Sequence, residues 1–342
     1  MSSPLVSICL PVYNAAPYIL TTLHSLVNQT YPNIEIIISD NASTDGTWDL
    51  ITDFAKKYVS VRFHKNDTNY GYVNNIRQAV TSAKSEFVAI FHADDLYEPT
   101  IIEKEFALLS QDSTFAGVFS RHREFWGTKH TYRDFPVYKV LRKTNAYDEQ
   151  RKIFRGDKSV FFPLLARYNN YFFACPSFMT RKSVFLDCGG FTNQFPSCED
   201  LDLWCRFLGR GHSLAVIDQV LLYYRRSDTQ GAATWESSSS IHPMFAVLEH
   251  YIVKSGYPLE EDDTSAYYKQ KSIGYIKAAY NAFINKNKYA SRRNILLSKK
   301  SFTFTEFNRY TLAQHIPVLF FFLVLLKRTL IRMFRKVLHA IN

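Results

Sequence analysis

Two aspartates stand side by side directly after an apolar run. Asp94 and Asp95 close the segment 87–95, which reads FVAIFHADD. Adjacent carboxylates on a tight turn repel one another unless a cation lies between them. Mg²⁺ or Mn²⁺ held by such carboxylates and by phosphate oxygens neutralises a nucleotide diphosphate, which then leaves readily. A solvated turn, or an N-cap for a helix that begins near Pro99, is the alternative for the same pair.

Polar residues also follow three other β-type runs in the N-terminal part of the chain. They are Pro11-Val-Tyr-Asn14, the turn 39–47 (SDNASTDGT) and the segment 69–75 (NYGYVNN). Ligands of parallel α/β sheets bind beyond the carboxyl ends of the strands, so four polar turns along one such edge indicate a nucleotide site. Neither a Gly-x-Gly-x-x-Gly after the first strand nor a Gly-Lys-Ser/Thr loop occurs, which excludes dinucleotide and P-loop sites.

The elements that must position these turns alternate regularly. β-rich runs predict strands over 5–10, 34–39, 61–64 and 87–91, and the spacing of apolar residues predicts helices over 17–29, 47–58, 72–83 and 99–109. Strands that alternate with helices of this length form right-handed βαβ units. The predicted fold class is therefore α/β, with a mixed, mostly parallel sheet flanked by helices.

The composition is that of a globular protein. Of the 342 residues, 46% are hydrophobic and 21% are charged, which excludes disordered and collagen-like chains. The five cysteines form no Cys-x-x-Cys pair, so neither a disulfide framework nor a zinc knuckle is expected. The N-terminus lacks the basic region of a signal peptide, and we expect the chain to remain in the cytosol.

The C-terminal segment carries most of the positive charge. The formal net charge is +10, and residues 298–342 hold eight Lys and Arg against one Glu. An apolar run over 316–326 is too short to span a bilayer, which needs about 20 apolar residues. Five bases then alternate with apolar residues at helical spacing over 327–342, which predicts an interfacial helix on anionic lipid. A terminal helix packed on the body is the alternative, and no nucleic-acid partner is expected.

Six motifs, in their order and spacing, resemble those of inverting family-2 glycosyltransferases. They are Pro11-Val-Tyr-Asn14, the turn 40–47, Asn69-x-Gly71, His92-Ala-Asp-Asp95, Gly189-Gly-Phe191 and Glu199-Asp-Leu-Asp-Leu-Trp204. The resemblance covers roughly residues 4–226. It implies the GT-A fold, a doubly wound sheet that binds a nucleotide-sugar donor. We therefore expect a catalytic GT-A domain over 1–228, a helical extension over 229–300 and a membrane-associating tail over 301–342.

The resemblance assigns roles to residues in each turn. Tyr13 and Asn14 are implied to line the nucleoside, and Asp40 to hydrogen-bond the base or ribose. Asp94 resembles the metal-ligating acid of the family's Asp-x-Asp motif, and Asp95 its neighbour that faces donor or metal. The implied cofactor is therefore Mg²⁺ or Mn²⁺. The full implied donor-binding set is Pro11, Tyr13, Asn14, Asp40, Asn69, Gly71, Asp94, Asp95 and Arg225.

Two positions depart from the family pattern. His92 stands where the family usually has the first Asp of its motif, and Ser227 where many relatives have a His that contacts metal or phosphate. A neutral imidazole at position 92 removes one charge from the site, and a serine hydroxyl is a poor ligand. Asp228, Arg225 or Arg226 can compensate, since a guanidinium suits a diphosphate.

Two further acids are candidates for the catalytic base. Glu199 and Asp200 open a predicted helix, where acids can simply complement the helix dipole. Direct displacement at an anomeric carbon, however, needs one carboxylate that takes the proton of the acceptor hydroxyl. It needs no general acid, because the metal-bound diphosphate leaves unprotonated. The resemblance favours Asp200 as this base and leaves Glu199 as the alternative.

The remaining segments carry weaker signals. Residues 120–171 are rich in aromatic and basic side chains, which fits either an acceptor-binding insertion or a β-hairpin cover. Helical patterns over 240–254, 264–285 and 288–299 contain no chemical motif and predict structural packing.

Together these features predict a metal-dependent inverting glycosyltransferase, peripheral or monotopic, at the cytoplasmic face of a membrane. The expected donor is a nucleotide sugar, with UDP-sugars favoured. The expected acceptor is a hydroxyl of a saccharide, lipid-linked, in surface polysaccharide or glycoconjugate assembly. A non-catalytic nucleotide- or glycan-binding protein on the same scaffold is one alternative. A nucleotidyltransferase is another, although its chemistry calls for a Gly-rich triphosphate loop.

Overall fold

The computed structural model describes residues 3–126, 129–226, 238–285 and 287–303. The chain divides into two units. The first comprises Met1–Ser227 and Ala246–Tyr257, and the second Asp228–Phe245 and Pro258–Asn342. The four polar turns and the Glu-Asp pair all belong to the first unit.

Strands and helices alternate through the N-terminal part of the first unit. The elements are β1 (Val6–Val12), α1 (Ile19–Val27), β2 (Ile34–Asp40), α2 (Thr47–Ala55), β3 (Val61–Lys65), α3 (Tyr72–Ser82) and β4 (Phe87–Ile90). Each predicted strand and helix is confirmed, although the ends shift by a few residues. Helix α1 begins at Ile19, two residues after the predicted start at Pro17, because the amides of Tyr18 and Ile19 first close a turn on the carbonyl of Ala15.

The rest of the first unit mixes short strands with helices. The elements are β5 (Leu96–Tyr97), α4 (Ile101–Gln111), β6 (Phe115–Trp126), β7 (Lys129–Arg133), α5 (Val137–Leu141), β8 (Tyr147–Asp148), β9 (Ile153–Gly156), α6 (Lys158–Tyr168), β10 (Phe178–Arg181), α7 (Lys182–Asp187), α8 (Glu199–Gly209) and β11 (Ser213–Arg226). Strands β6 and β7 pair antiparallel, so a β-hairpin, one of the two alternatives for 120–171, is present in that region. Helices α5 and α6 and the β8–β9 pair occupy the remainder of that region.

One mixed sheet joins these strands. Nine of them follow the order β3-β2-β1-β4-β10-β6-β11-β9-β8, while β5 pairs with β11 and β7 pairs with β6. The β1–β2, β2–β3 and β1–β4 pairs are parallel, as is the β6–β11 pair. Strand β10 runs antiparallel between β4 and β6. The predicted class is confirmed: a mixed α/β sheet, flanked by helices, in which β3, β2, β1 and β4 run parallel.

The core explains why these segments form a buried sheet. Every residue of β1 is buried, as expected of a central parallel strand covered on both faces. Ile19, Leu23 and Leu26 recur at helical spacing and bury one face of α1 against the sheet. The polar turns begin where these apolar runs stop, so the core sets the edge at which they emerge.

The second unit is helical in the residues described. Its long helices are Glu261–Ile284 and Lys288–Thr303, which confirms two of the predicted helices. The helix predicted over 240–254 belongs for the most part to the first unit and consists of an α-helical segment, Met244–Leu248, continued by a π-helical turn, Glu249–Val253. Within the described part of the chain, no helix is both long enough and apolar enough to cross a membrane. The tail over 316–342 lies outside the described residues.

Candidate active site

The strand register brings the first two polar turns to one edge of the sheet. Val12 pairs with Asp40 at the carboxyl ends of β1 and β2, and Cys9 pairs with Ile90 at the end of β4. Parallel strands point their carboxyl ends to the same side. The segments after β1, β2 and β4 therefore emerge side by side, as the sequence predicted.

Hydrogen bonds lock the turns after β1 and β2 to each other. The amide of Asn14 donates to Ser43 Oγ at 2.9 Å, and Asn14 Oδ1 accepts from the amide of Thr44 at 2.9 Å. Asn14 takes a φ of 49°, a left-handed conformation that asparagine tolerates. Asp40 is fully buried and accepts from both the amide and the hydroxyl of Ser43. Asp40 thus braces this turn, and its contact to a base or ribose remains a prediction.

The turn after β3 is held by amide side chains. Asn69 Oδ1 accepts from Asn41 Nδ2 at 2.7 Å and from the amide of Gly71 at 2.9 Å. Gly71 has a φ of 81° directly before α3, which a side chain would strain. Pro11 is buried within β1, whereas the ring of Tyr13 is 51% exposed. The Tyr13 side chain is thus available to a ligand.

His92, Asp94 and Asp95 form a compact cluster of possible metal ligands, with the ligand atoms all within 4.8 Å of one another. Asp95 is fully buried, and its Oδ1 accepts from the amide of Arg225 at 2.7 Å. Its Oδ2 is buried and, among the described residues, has no hydrogen-bond partner. Burial, followed by the charge of Asp94, raises the pKa of Asp95 well above its usual value. A divalent cation would compensate this carboxylate, so the residues present fit a metal site.

Helix α1 and β5 hold the main chain of this acidic turn. The hydroxyl of Thr22 donates to the carbonyl oxygens of Ala93 and Asp95, at 3.0 and 2.8 Å. The amide of His92 donates to the Tyr97 hydroxyl at 2.7 Å. The turn is thus anchored from two sides before any ligand binds.

The imidazole of His92 contacts a tyrosine from α3. His92 Nε2 lies 2.9 Å from the Tyr72 hydroxyl, which is also 3.8 Å from Cys175 Sγ. Burial lowers the pKa of His92, while the charge of Asp94 opposes the shift. A neutral imidazole therefore occupies the position where the family usually has an aspartate.

The Glu-Asp pair opens α8, as predicted, but its two carboxylates differ in surroundings. Asp200 Oδ1 accepts from the amide of Leu201 at 2.7 Å, and Oδ2 accepts from Asn170 Nδ2 at 3.4 Å. Burial, with a smaller contribution from Glu199, raises the pKa of Asp200 to about 6. Glu199 Oε1 accepts from the amide of Ser197 at 3.0 Å. Asp200 thus has the raised pKa that suits a general base near neutral pH.

The two acid pairs lie near one buried thiol. Burial raises the pKa of Cys175, and the charges of Asp200, Glu199 and Asp95 add to the shift. Cys175 is therefore within electrostatic reach of the metal cluster and of the candidate base. The structure brings together the turns that the sequence predicted and the Glu-Asp helix start.

Sequence reasoning missed three residues of this site. Tyr72 contacts both His92 and Cys175, and Asn170 contacts the candidate base. Asn170 belongs to the aromatic and basic segment assigned as an acceptor insertion or a cover. Its neighbours gave no reason to single it out. Ser227, the second departure from the family pattern, and Asp228, considered as a compensating ligand, lie outside the described residues.

Known proteins resemble this chain in sequence. The sequence model described as Glycosyl transferase family 2 matches residues 7–188. The Escherichia coli UDP-Glc:alpha-D-GlcNAc-diphosphoundecaprenol beta-1,3-glucosyltransferase WfaP is 29% identical over 224 residues, which cover 65% of this chain and 77% of that protein. An uncharacterized glycosyltransferase of Methanocaldococcus jannaschii, MJ1057, is 24% identical over 256 residues, covering 73% of this chain and 81% of the relative.

Solved structures resemble the fold. S. aureus TarS 1–349 in complex with UDP-GlcNAc superposes with a TM-score of 0.55 at 14% identity, covering 90% of this chain and 93% of TarS 1–349. The mannosyltransferase PcManGT of Pyrobaculum calidifontis, in complex with GDP-Man and Mn²⁺, has a TM-score of 0.53 at 17% identity, with 86% and 74% covered. At these identities the likeness establishes the fold alone.

Proposed function

The chain belongs to glycosyl transferase family 2 and has the GT-A type of fold, and on that premise we propose that it is a metal-dependent inverting glycosyltransferase that uses a UDP-sugar. The observation that carries the proposal is the convergence of two acid pairs. One pair has a buried carboxylate oxygen that finds no partner among the described residues, and the other has a carboxylate whose pKa burial raises to about 6. Activation of the donor needs the first environment, and deprotonation of the acceptor needs the second.

Asp94 and Asp95, with His92 beside them, are the residues that would hold Mg²⁺ or Mn²⁺. When bound there, the ion supplies charge neutralisation for the departing nucleotide diphosphate. The chain's own contribution is to keep the ligands in place, through Thr22 behind Asp95 and Tyr97 behind His92. Tyr13, exposed at the neighbouring turn, supplies a ring for the donor base.

Asp200 acts as the base in this proposal. The acceptor hydroxyl oxygen attacks the anomeric carbon from the face opposite the diphosphate, and its proton passes to the Asp200 carboxylate. The bond from that carbon to the diphosphate oxygen breaks, and its electron pair leaves with the nucleotide. One displacement inverts the configuration, so no second carboxylate is needed as a nucleophile.

A lipid-linked saccharide is the acceptor that we favour, in the assembly of surface polysaccharide or another glycoconjugate. The name of the E. coli relative specifies a sugar linked through diphosphate to undecaprenol. The tail of this chain supports the same choice, because an apolar run and five bases over 316–342 suit an anionic membrane surface. The enzyme would then work at the cytoplasmic face of a membrane, as a peripheral or monotopic protein.

A donor screen tests the enzymatic proposal. The full-length protein is incubated with UDP-, GDP- and dTDP-sugars, with Mn²⁺, with Mg²⁺ or with chelator, and release of nucleotide is measured. We expect release from a UDP-sugar that depends on the ion and rises when a saccharide acceptor is added. Nucleotide binding without release from any donor would favour the non-catalytic alternative. Full activity in chelator would contradict the metal assignment.

A further inference from the structure

Arg225, near the end of β11, contacts both acids of the metal cluster through its own main chain and side chain. Its amide donates to Asp95 Oδ1 at 2.7 Å, and its Nε donates to the carbonyl oxygen of Asp94 at 2.7 Å. Among the anchors of the turn, Thr22 and Tyr97 bond only main-chain atoms. Arg225 therefore combines a bond to a carboxylate with a bond to the peptide that precedes it.

Two aromatic rings clasp the guanidinium of Arg225. Its Cζ lies 4.6 Å from the ring centroid of Tyr18 and 4.5 Å from that of Phe125. Phe125 is the cross-strand partner of Arg225 in the β6–β11 ladder, and Tyr18 precedes α1 just beyond the Asn14 turn. Arg225 is only 9% exposed, so the guanidinium is held between the rings and not dispersed in solvent.

We propose that Arg225 is a positioning residue, which the Tyr18–Phe125 clasp orients so that it holds Asp94 and Asp95 ready for the cation. This inference rests on the proposed function. The sequence implied instead that Arg225 binds the donor directly, and the structure gives its Nε to the protein's own main chain. A turn with two adjacent acids resists close approach of its carboxylates, and a site whose ligands are already in place binds its ion more tightly.

The geometry requires arginine and its two rings together. A lysine at position 225 keeps the charge and the amide bond to Asp95, but it has neither the Nε–H nor the flat face that stacks between rings. Tyr18 contributes its ring to the clasp, so phenylalanine would serve there and leucine would not. These two substitutions separate the positioning role from loss of charge and from loss of the Arg225 side chain.

Binding of Mn²⁺ to the full-length protein with UDP, followed by electron paramagnetic resonance of the free ion, tests the proposal without turnover. We expect Arg225→Lys to weaken Mn²⁺ binding about tenfold, as loss of a group behind a ligand commonly does. Tyr18→Leu should weaken it in the same direction, and Tyr18→Phe should match wild type. UDP affinity in chelator should stay unchanged in all three. Arg151→Lys, at an exposed position of the first unit outside the site, is the control.

Several outcomes would overturn the proposal. One is a folded Arg225→Lys protein that binds Mn²⁺ as tightly as wild type; another is equal behaviour of Tyr18→Leu and Tyr18→Phe. A parallel loss of UDP affinity in chelator would indicate direct contact with the diphosphate. Wild type that takes up no Mn²⁺ would also refute it. If thermal unfolding shows that Arg225→Lys is not folded, the comparison of Mn²⁺ binding by Tyr18→Leu and Tyr18→Phe decides the question. The proposed function fails separately, when wild type transfers sugar from no donor.

Discussion

Asp95 and Asp200 are carboxylates of the same kind whose surroundings suit them to different tasks. Burial beside Asp94 raises the pKa of Asp95 well above its usual value and leaves one of its oxygens without a partner among the described residues. Burial raises the pKa of Asp200 only to about 6, and the amide of Leu201 bonds its charged form. The environment of Asp95 favours a bound cation, whereas that of Asp200 suits a group that takes up a proton near neutral pH.

Asp94→Asn tests the metal site by replacing one of its carboxylates with an amide. We expect kcat/KM for transfer to fall about 10²- to 10³-fold at saturating Mn²⁺, because charge neutralisation at the leaving diphosphate is a large term. Steady-state kinetics measure the loss, and circular dichroism checks the fold. Asp49→Asn, an exposed position on α2, is the matched control. Near-normal turnover of Asp94→Asn would show that another group holds the ion.

Asp200→Asn tests the base. We expect transfer to fall about 10²- to 10⁴-fold, the usual contribution of a general base, while affinity for UDP stays unchanged. In wild type, kcat/KM should rise with pH through about 6, because the raised pKa leaves Asp200 protonated, and unable to accept a proton, below that value. Kinetics between pH 4.5 and 8 and calorimetric titration with UDP measure both effects. Loss of UDP binding in the variant would point to a donor-side role.

At the scale of elements, the acids in the first turn of α8 have different roles. The sequence places three acids in the first turn of this helix, where the dipole favours them. Asp202 is fully buried and accepts from Arg206 at 2.8 Å, Thr192 at 3.0 Å and Tyr251 at 2.7 Å. Arg206 in turn donates to the carbonyl of Gly190 at 2.6 Å. This network fastens the turn that carries Asp200 to the Gly189-Gly190 segment.

Asp202→Asn should therefore destabilise the first unit. We expect a loss of about 3 kcal/mol in the free energy of unfolding, because Arg206 keeps a mostly buried charge without its carboxylate. Urea denaturation followed by fluorescence measures this loss. Asp262→Asn, exposed at the start of the helix Glu261–Ile284, should change stability by less than about 0.5 kcal/mol. A loss no larger than the control's would mean that the network contributes little.

At the scale of the whole molecule, the charge is divided unevenly between the site and the tail. The acidic groups that we assign to catalysis lie in the first unit, whereas residues 298–342 carry eight bases against one acid. The tail over 316–342 lies outside the described residues, so its proposed role depends on composition alone. Each base near anionic lipid contributes about 1 kcal/mol, and the apolar run adds to that.

Flotation of the full-length protein with liposomes tests the tail. We expect wild type to float with anionic liposomes and less with neutral ones, and replacement of five tail bases by Gln to reduce flotation at equal lipid. The five are Lys327, Arg328, Arg332, Arg335 and Lys336. The control removes the same charge from five exposed positions of the first unit, Lys56, Lys57, Lys139, Lys143 and Arg151. Equal loss in both variants would indicate non-specific attraction, and wild type that ignores anionic liposomes would end the membrane proposal.

The amino-acid sequence by itself determined the alternating strands and helices of the N-terminal part of the first unit and the edge of the sheet at which the polar turns emerge. Apolar runs of strand length alternate with helical patterns, and this alternation predicts the bounds of β1 to β4 and of their helices to within a few residues. The strands end where the apolar runs stop, and the turns that follow are therefore polar. Asp94, Asp95 and the Glu-Asp pair could be selected because adjacent acids carry a chemical meaning that does not depend on their neighbours.

Only the tertiary structure decided which groups surround those acids. Tyr72 and Cys175 are far apart in sequence and meet beside His92, and Arg225 finds its rings at Tyr18 and Phe125. No periodicity encodes such contacts, since they depend on how separate elements pack. Burial, which raises the pKa of Asp200 and Asp95, is likewise a property of the packed fold. The residue types that can do the chemistry can therefore be identified from the sequence, whereas their protonation and their positioning arise from contacts between distant segments.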